Sequence, residues 1–347
     1  MNEKMKQFLD EAIKKNVFPG CCLAIIHHQK VDYYCVGKKS IYPTKEDNQM
    51  DTLYDLASLT KVVGTMPLIL RMIQKGQLQY NTPIYKIIPE FLNKEITIFH
   101  LLTHTSGLPA DLSWDLKATK EKIIHDICIQ STAAIPDKKV IYSDLGYIIL
   151  GYVAEIMNHQ KLNELVKKEV LLPLGMNQTM YCPDEKFIKN CAPTEKSIHF
   201  HCLLRGQVHD RKAYLMGGVA GHAGLFSNIF DLVQYTQMIL NHGQYQNQTF
   251  LEKQYIDDLF TNFSPHGEIP RGVGFLTYTS NSLFSSLNSD KTIAHTGFTG
   301  TSLLIDMKNQ VAIILLSNRV HPTRDNTLIL DWRRKLHDRV MKSINEI

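Results

Sequence analysis

The chain has 347 residues, of which 44% are hydrophobic and 21% charged, and its formal net charge is +4. That is enough apolar sequence for a large core or two closely packed lobes. The basic residues are scattered rather than blocked together, which excludes a nucleic-acid footprint, and no run reaches the ~18 to 20 apolar residues a membrane helix needs.

The N-terminal MNEKMKQFLDEAIKK has acidic residues at helical spacing and lacks the apolar centre of a secretory signal. It predicts an amphipathic helix over 2–15, ended by Pro19–Gly20, and a cytoplasmic location. The odd set of seven cysteines, none at CxxC spacing, fits reduced thiols in that compartment and no disulfide framework. With neither HExxH nor paired CxxC, no zinc site is expected. CCLAIIHH (21–28) and VDYYCVG (31–37) read as a strand hairpin. From Ser58 to about Gly76 the pattern turns helical, with a kink or break expected near Gly64 and Pro67. Further helices are expected at 98–104, 119–131, 144–158, 161–169, 229–241 and 251–260, joined by loops able to wall a cleft. Strand character returns in GVGFLTYT (272–279), KTIAHTG (291–297), GTSLLIDM (300–307) and VAIILLSN (311–318). A last amphipathic helix is expected from about 323 to 343.

Strands at both ends with helices between them predict an α+β fold. The two chain termini form one antiparallel sheet with flanking helices, and a helical region is inserted. The whole of 1–347 reads as one catalytic unit, with an α/β lobe from 1–60 and 270–347, a helical lobe from 61–269, and the site between them.

Three short patterns carry chemistry. Ser58-Leu59-Thr60-Lys61 has the form S-x-x-K, which places a hydroxyl and an amine on one helix face. A serine is a poor nucleophile until a neighbouring base takes its proton, and Lys61 can act so if its pKa is lowered. The plainer alternative is Ser58 as a helix cap and Lys61 in solvent. Tyr142-Ser143-Asp144 opens an apolar helix, where Ser143 or Asp144 can be a cap and the Tyr142 phenol a proton relay. His295-Thr296-Gly297 ends a predicted strand, where Gly297 permits close backbone approach. The N–H groups of Ser58 and Phe298 could then form an oxyanion hole.

In this order and at these separations the three patterns resemble those of the serine β-lactamase and penicillin-binding-protein superfamily, in its class C-like branch. HLLTHTSGLP (100–109) and GGVAGHAGLFS (217–227) are similar to segments of the same family. The stretch 206–227 resembles relatives linked to peptidoglycan turnover, including N-acetylmuramoyl-L-alanine amidases. That resemblance puts His209 and Asp210 either on the substrate side of the cleft or in a loop-shaping role, while His222, in a glycine-rich loop, reads as structural.

Two departures matter. Asp144 stands where the family usually has Asn, and an ionised carboxylate cannot donate to a substrate carbonyl. It would also raise the pKa of Lys61, or pair with that lysine and position it. His295 stands where the family usually has Lys, and a neutral imidazole gives up a fixed positive charge. Both argue against a potent β-lactamase.

The expected function is hydrolysis through a Ser58 acyl-enzyme, with Lys61 and Tyr142 moving protons and no cofactor or metal. A muropeptide amide is the first expected substrate, a small carboxylic ester the second, and acyl transfer the third. A non-catalytic binding or sensor protein is the alternative from another class. Nothing in the sequence fixes the oligomeric state.

Overall fold

The computed structural model describes residues 3–279 and 283–345. Its organising element is a seven-stranded antiparallel sheet: β1 (Gly20–His27), β2 (Lys30–Ser40), β3 (Glu46–Asp47), β4 (Leu276–Thr277), β5 (Thr292–Thr296), β6 (Ser302–Asp306) and β7 (Val311–Ser317). The spatial order is β4-β5-β6-β7-β1-β2-β3. The two halves of the sheet meet where β1 pairs with β7, from Cys21 opposite Ser317 to His27 opposite Val311.

Those two central strands are apolar almost throughout because both of their faces are covered. Side chains alternate across a strand. Accordingly Cys21, Leu23 and Ile25 of β1, with Val311, Ile313 and Leu315 of β7, pack against the terminal helices. Cys22, Ala24, Ile26, Ala312, Ile314 and Leu316 point the other way, into a core shared with the inserted helices. The terminal helices are α1 (Glu3–Lys14) and α2 (Ile329–Asn345). They meet through Trp332, which stacks on Phe8 at 5.3 Å and takes the edge of Phe18 at 5.0 Å.

The expected helices at 98–104, 119–131, 144–158, 229–241 and 251–260 are present with trimmed ends. The expected start of the first helix at residue 2 lies outside the described residues. Two expectations need correction. The strand expected over 272–279 shrinks to Leu276–Thr277, because Gly272 N–H bonds back to the Phe275 carbonyl and makes a tight turn. The last helix begins at Ile329, not near 323. Residues 324 and 326 offer their carbonyls to the Arg319 guanidinium instead of to a helix.

The expected kink near Gly64 and Pro67 is a single π-helical turn, Lys61–Thr65, running straight into the α-helix Met66–Gln74. Pro67 has no N–H to give, and the wider turn spaces the carbonyls around it. The Val62 carbonyl accepts from the Tyr235 hydroxyl, and the Thr65 hydroxyl donates to the Gly221 carbonyl at 2.7 Å. Gly221 sits tight against the next helix: a Cβ there would lie 2.0 Å from the Tyr147 carbonyl. The 217–227 segment thus locks the Ser58 helix against Asp144–Asn158.

Candidate active site

Ser58 is delivered by a short strand, Tyr54–Asp55, that pairs with Leu225–Ser227. The chain turns sharply at Ala57, whose φ of 46° is left-handed, a conformation a β-carbon disfavours. Asp55 stabilises it. Its Oδ1 accepts from Ala57 N–H at 2.8 Å and its Oδ2 from His209 N–H at 2.6 Å. Burial pushes this carboxyl up to about 6, although both N–H donors favour the ionised form. Sequence reasoning missed Asp55. The only signal was an acidic residue three positions before the serine, and its partner lies 154 positions away.

One turn into the helix, the fully buried Lys61 Nζ stands 3.0 Å from Ser58 Oγ and 3.2 Å from the His222 carbonyl. Its third contact is Asp144 Oδ1 at 2.7 Å. Burial opposes the ammonium charge, but Tyr142 and Asp144 together outweigh it and hold the Lys61 pKa above its ordinary value. Of the two readings the sequence left open, the pairing of Lys61 with Asp144 is the one present, and the lowered pKa that a resting base would need is not. The Nζ lies 4.9 Å from the centre of the Tyr142 ring, a cation–π distance.

The Tyr142–Asp144 corner is held by the 100–109 segment. His104, itself left-handed at φ 60°, accepts from Ser143 N–H through Nδ1 at 3.0 Å. The Ser143 hydroxyl donates to the Pro109 carbonyl at 2.6 Å and accepts from Gly146 N–H at 3.4 Å as the helix cap. Burial, then the nearby Arg271 and Lys61 cations, keep His104 neutral, well below its usual pKa. Arg271 is buried, and its guanidinium lies 5.0 Å from the Tyr142 ring centre. His104 lies in the 100–109 segment that the sequence singled out, but no role was read for it there, and Arg271 lies in no segment the sequence singled out.

His295 lies on β5 with its ring 6.0 Å from that of Tyr142. It is buried, its Nδ1 is 3.0 Å from the Thr296 carbonyl oxygen, and it is not part of the cleft wall. Burial and then Lys61 and Arg271 push its pKa well below the ordinary value, so it is neutral. It therefore supplies no charge for a substrate carboxylate.

The 297–301 turn is clamped onto the nucleophile loop. Thr299 Oγ1 donates to the Asp55 carbonyl at 2.7 Å and Thr301 Oγ1 to the Leu56 carbonyl at 3.1 Å. Among the described residues, neither the Ser58 N–H nor the Phe298 N–H donates to a protein acceptor. Gly297 is obligatory at this contact: a Cβ would lie 2.1 Å from Thr301 Oγ1 and 2.4 Å from the Leu56 carbonyl oxygen. Gly297→Ala is expected to cost about 2 to 3 kcal/mol in chemical denaturation, as overpacking of backbone does. Unchanged stability would show that the turn yields freely.

Ser58 opens onto a cleft of about 620 Å³. Its walls include Trp114, Phe200 and the 48%-exposed Phe298, together with Arg211, Lys212 and Arg324. His209 and Asp210 also line it. His209 stacks on Phe298 with ring centres 5.4 Å apart and contacts Glu195 at 3.0 Å, and Arg324 holds the same Glu195. Burial and Arg324 lower the His209 pKa. Asp210 caps the short helix Arg211–Leu215 through Ala213 N–H and contacts His222 Nε2 at 2.8 Å.

Asp144, Asp210 and His222 bring ligand-type atoms within 4.8 Å of one another. Lys61 and Lys212 already ion-pair with those carboxylates. Two ammonium groups in contact with the donor atoms do not suit a metal cation, so the set reads as an ion-pair network.

Comparison with known proteins agrees with this architecture. The Beta-lactamase family model matches residues 5–337. A protein of Escherichia coli (strain K12) named "Putative D-alanyl-D-alanine carboxypeptidase" is 35% identical over 304 residues, covering 78% of this chain and 70% of the relative. One of the same name from Escherichia coli O157:H7 is 33% identical over 365 residues, covering 92% of this chain and 83% of the relative. Among solved structures, EstCE1, described as a hydrolase with promiscuous acyltransferase activity, superposes with a TM-score of 0.76 at 18% identity, over 97% of this chain and 98% of its own. Simvastatin synthase from Aspergillus terreus gives 0.79 at 16% identity, over 98% of each chain. These two show the β-lactamase-like α+β fold and no more. The chain belongs to the Beta-lactamase family and is a serine hydrolase.

Proposed function

We propose that Ser58 is the nucleophile of an acyl-enzyme mechanism acting on a peptidoglycan-derived muropeptide amide, with residues 1–347 working as one catalytic unit. The carrying observation is the buried Lys61 Nζ 3.0 Å from Ser58 Oγ, at the floor of the cleft. Ser58 Oγ attacks the substrate carbonyl carbon, and its proton passes to Lys61 once that ammonium has released one of its own. That released proton leaves to solvent: burial favours a neutral Asp144, but the Lys61, His222 and Lys212 charges outweigh it and hold this carboxyl below the ordinary range, so Asp144 pairs with the ammonium and does not deprotonate it. Tyr142, beside Lys61, relays the Ser58 proton from Lys61 to the leaving amine as the C–N bond breaks. Water then attacks the acyl carbon, giving its proton to Lys61, which returns it to Ser58 Oγ as the acid is released. The Ser58 and Phe298 N–H groups hold the oxyanion in both steps.

Three features support the muropeptide reading. The curated relatives carry a D-alanyl-D-alanine carboxypeptidase name. Muropeptides present several carboxylates and a sugar, and the cleft offers Arg211 and Arg324 beside the flat faces of Trp114 and Phe298. The cysteines are free thiols, in keeping with a reducing cytoplasm in which such fragments are recycled. A second reading, ester hydrolysis or acyl transfer, is favoured by one observation: the neutral, buried His295 offers no cation where a peptide carboxylate would be drawn.

The test is intact-mass spectrometry of wild type and Ser58→Ala after exposure to a fluorophosphonate and, separately, a penicillin, alongside assays on a muropeptide and a short-chain ester. Adducts on wild type only, with muropeptide cleavage, are expected. Ester turnover without muropeptide cleavage selects the second reading. No adduct from either reagent overturns the nucleophile assignment.

A further inference from the structure

Asp144 presents a difficulty for the mechanism. A carboxylate in direct contact with a buried lysine favours the ammonium, and an ammonium cannot accept the Ser58 proton. The structure contains a counterweight. Asp144 uses Oδ1 for Lys61 at 2.7 Å and Oδ2 for a second ammonium, Lys212 Nζ, at 3.0 Å. Lys212 lies on the cleft wall and also reaches Asp111 at 2.9 Å and Asp210 at 3.6 Å. Asp210 holds the His222 ring, and the His222 carbonyl accepts from Lys61. The contacts therefore form a closed ring: Lys61, Asp144, Lys212, Asp210, His222 and back to Lys61.

We infer that Lys212 is a positioning residue that sets the proton affinity of Lys61 by drawing on the second oxygen of Asp144. The inference rests on the proposed roles of Ser58 and Lys61. With one carboxylate shared between two cations, each feels less of its charge. Lys212 thus offsets the effect of placing a carboxylate 2.7 Å from Lys61 Nζ.

The other groups around Lys61 act differently. Tyr142, with its ring centre 4.9 Å from Nζ, acts on Lys61 directly and raises its pKa alongside Asp144, and the Tyr147 ring centre lies 5.9 Å away. His104 and His295 are kept neutral by burial and the neighbouring cations. His222 meets Lys61 through its backbone carbonyl, while its ring, held by Asp210 at 2.8 Å, lies within 4.8 Å of the Asp144 carboxylate without forming an ion pair with it among the described residues. Arg271 lies over Tyr142, and no ion pair joins it to Asp144 among the described residues. Lys212 stands apart from these in contacting the carboxylate that contacts Lys61.

The experiment measures the second-order rate of Ser58 phosphonylation by a fluorophosphonate between pH 6 and 10. The variants are Ser58→Ala, Lys212→Met, Lys212→Arg, Asp144→Asn and the double variant Lys212→Met/Asp144→Asn. Losing Lys212 restores the full carboxylate to Lys61. The pH-dependent limb of Lys212→Met is expected to move up by about one unit, which is roughly ten-fold slower labelling at any pH on the limb. Lys212→Arg recovers most of that rate. In the Asp144→Asn background the Lys212→Met step changes the rate by about two-fold or less, since the atom it acts through has lost its charge. A purely structural lysine would cost the same in both backgrounds. That equality, with labelling still confined to Ser58, overturns the inference alone. Labelling that persists in Ser58→Ala overturns the nucleophile assignment and the inference with it.

Discussion

Ser58→Ala is expected to lower kcat/KM by about 10⁴-fold or more, and Lys61→Met by about 10³-fold, with the fold intact in both. The reasoning is geometric. Among the described residues, no other hydroxyl shares the position of Ser58 Oγ, in hydrogen-bond contact with a fully buried amine and open to the cleft. Residual activity comes only from the oxyanion donors and binding, which neither substitution touches. The wild-type pH profile carries a further signature. The Lys61 pKa is raised, because Tyr142 and Asp144 overcome the effect of burial. The proton-accepting form is therefore a minority near neutral pH, and its population grows about ten-fold per pH unit until the raised pKa is reached. kcat/KM should climb from pH 6 to 9 without a plateau. A flat profile over that range, or Ser58→Ala and Lys61→Met retaining a tenth of wild-type activity, would remove both residues from the chemistry.

Asp55→Ala is expected to be the most destabilising single change near the site. Two buried backbone donors, Ala57 N–H and His209 N–H, lose their acceptor together. An orphaned buried N–H costs about 1 to 3 kcal/mol, which points to a loss of about 3 kcal/mol in urea denaturation at pH 7. Activity should fall more steeply than stability, because Ala57 loses the tether that holds the backbone before Ser58 in its left-handed turn.

The sign of the pH effect follows from the same carboxyl. Its pKa rises from an ordinary 3.8 to about 6 on folding. Between those values the folded protein keeps a proton that the unfolded chain has already released. Asp55 therefore contributes stability below pH 4 that fades as pH rises through about 6, by up to ~3 kcal/mol. Asp55→Asn cannot titrate, so the stability difference between wild type and this variant should shrink by that amount from pH 4 to 7. A constant difference would mean that the carboxyl titrates normally and is less enclosed than its contacts imply.

The parts of this site that the sequence disclosed are those whose chemistry is local. Ser58 and Lys61 meet because one helical turn separates them, and Ser143 caps its own helix three residues on. The strands were readable for the same reason: β1 and β7 are continuous apolar runs because they sit at the centre of a sheet covered on both sides. What stayed hidden depends on pairings between distant segments. Lys212 is an ordinary surface-type lysine until the 206–227 segment folds it against Asp144. His295 read as a cleft residue by its place in a motif, but the packing of Phe275 and Tyr142 against its ring encloses it. The strand expected over 272–279 failed because its glycines make a turn there, which alternation of residue types cannot disclose.

The clamp between the 297–301 turn and the nucleophile loop has a consequence for the protein's synthesis. Thr299 and Asp55 are 244 positions apart, and β1 finds its partner β7 only when residues 311–317 have been made. A ribosome-bound chain thus carries Ser58 for most of its translation without the Thr299 contact to Asp55 or the central strand pair. The geometry around the nucleophile loop is therefore completed by contacts of high sequence separation, which form late in folding.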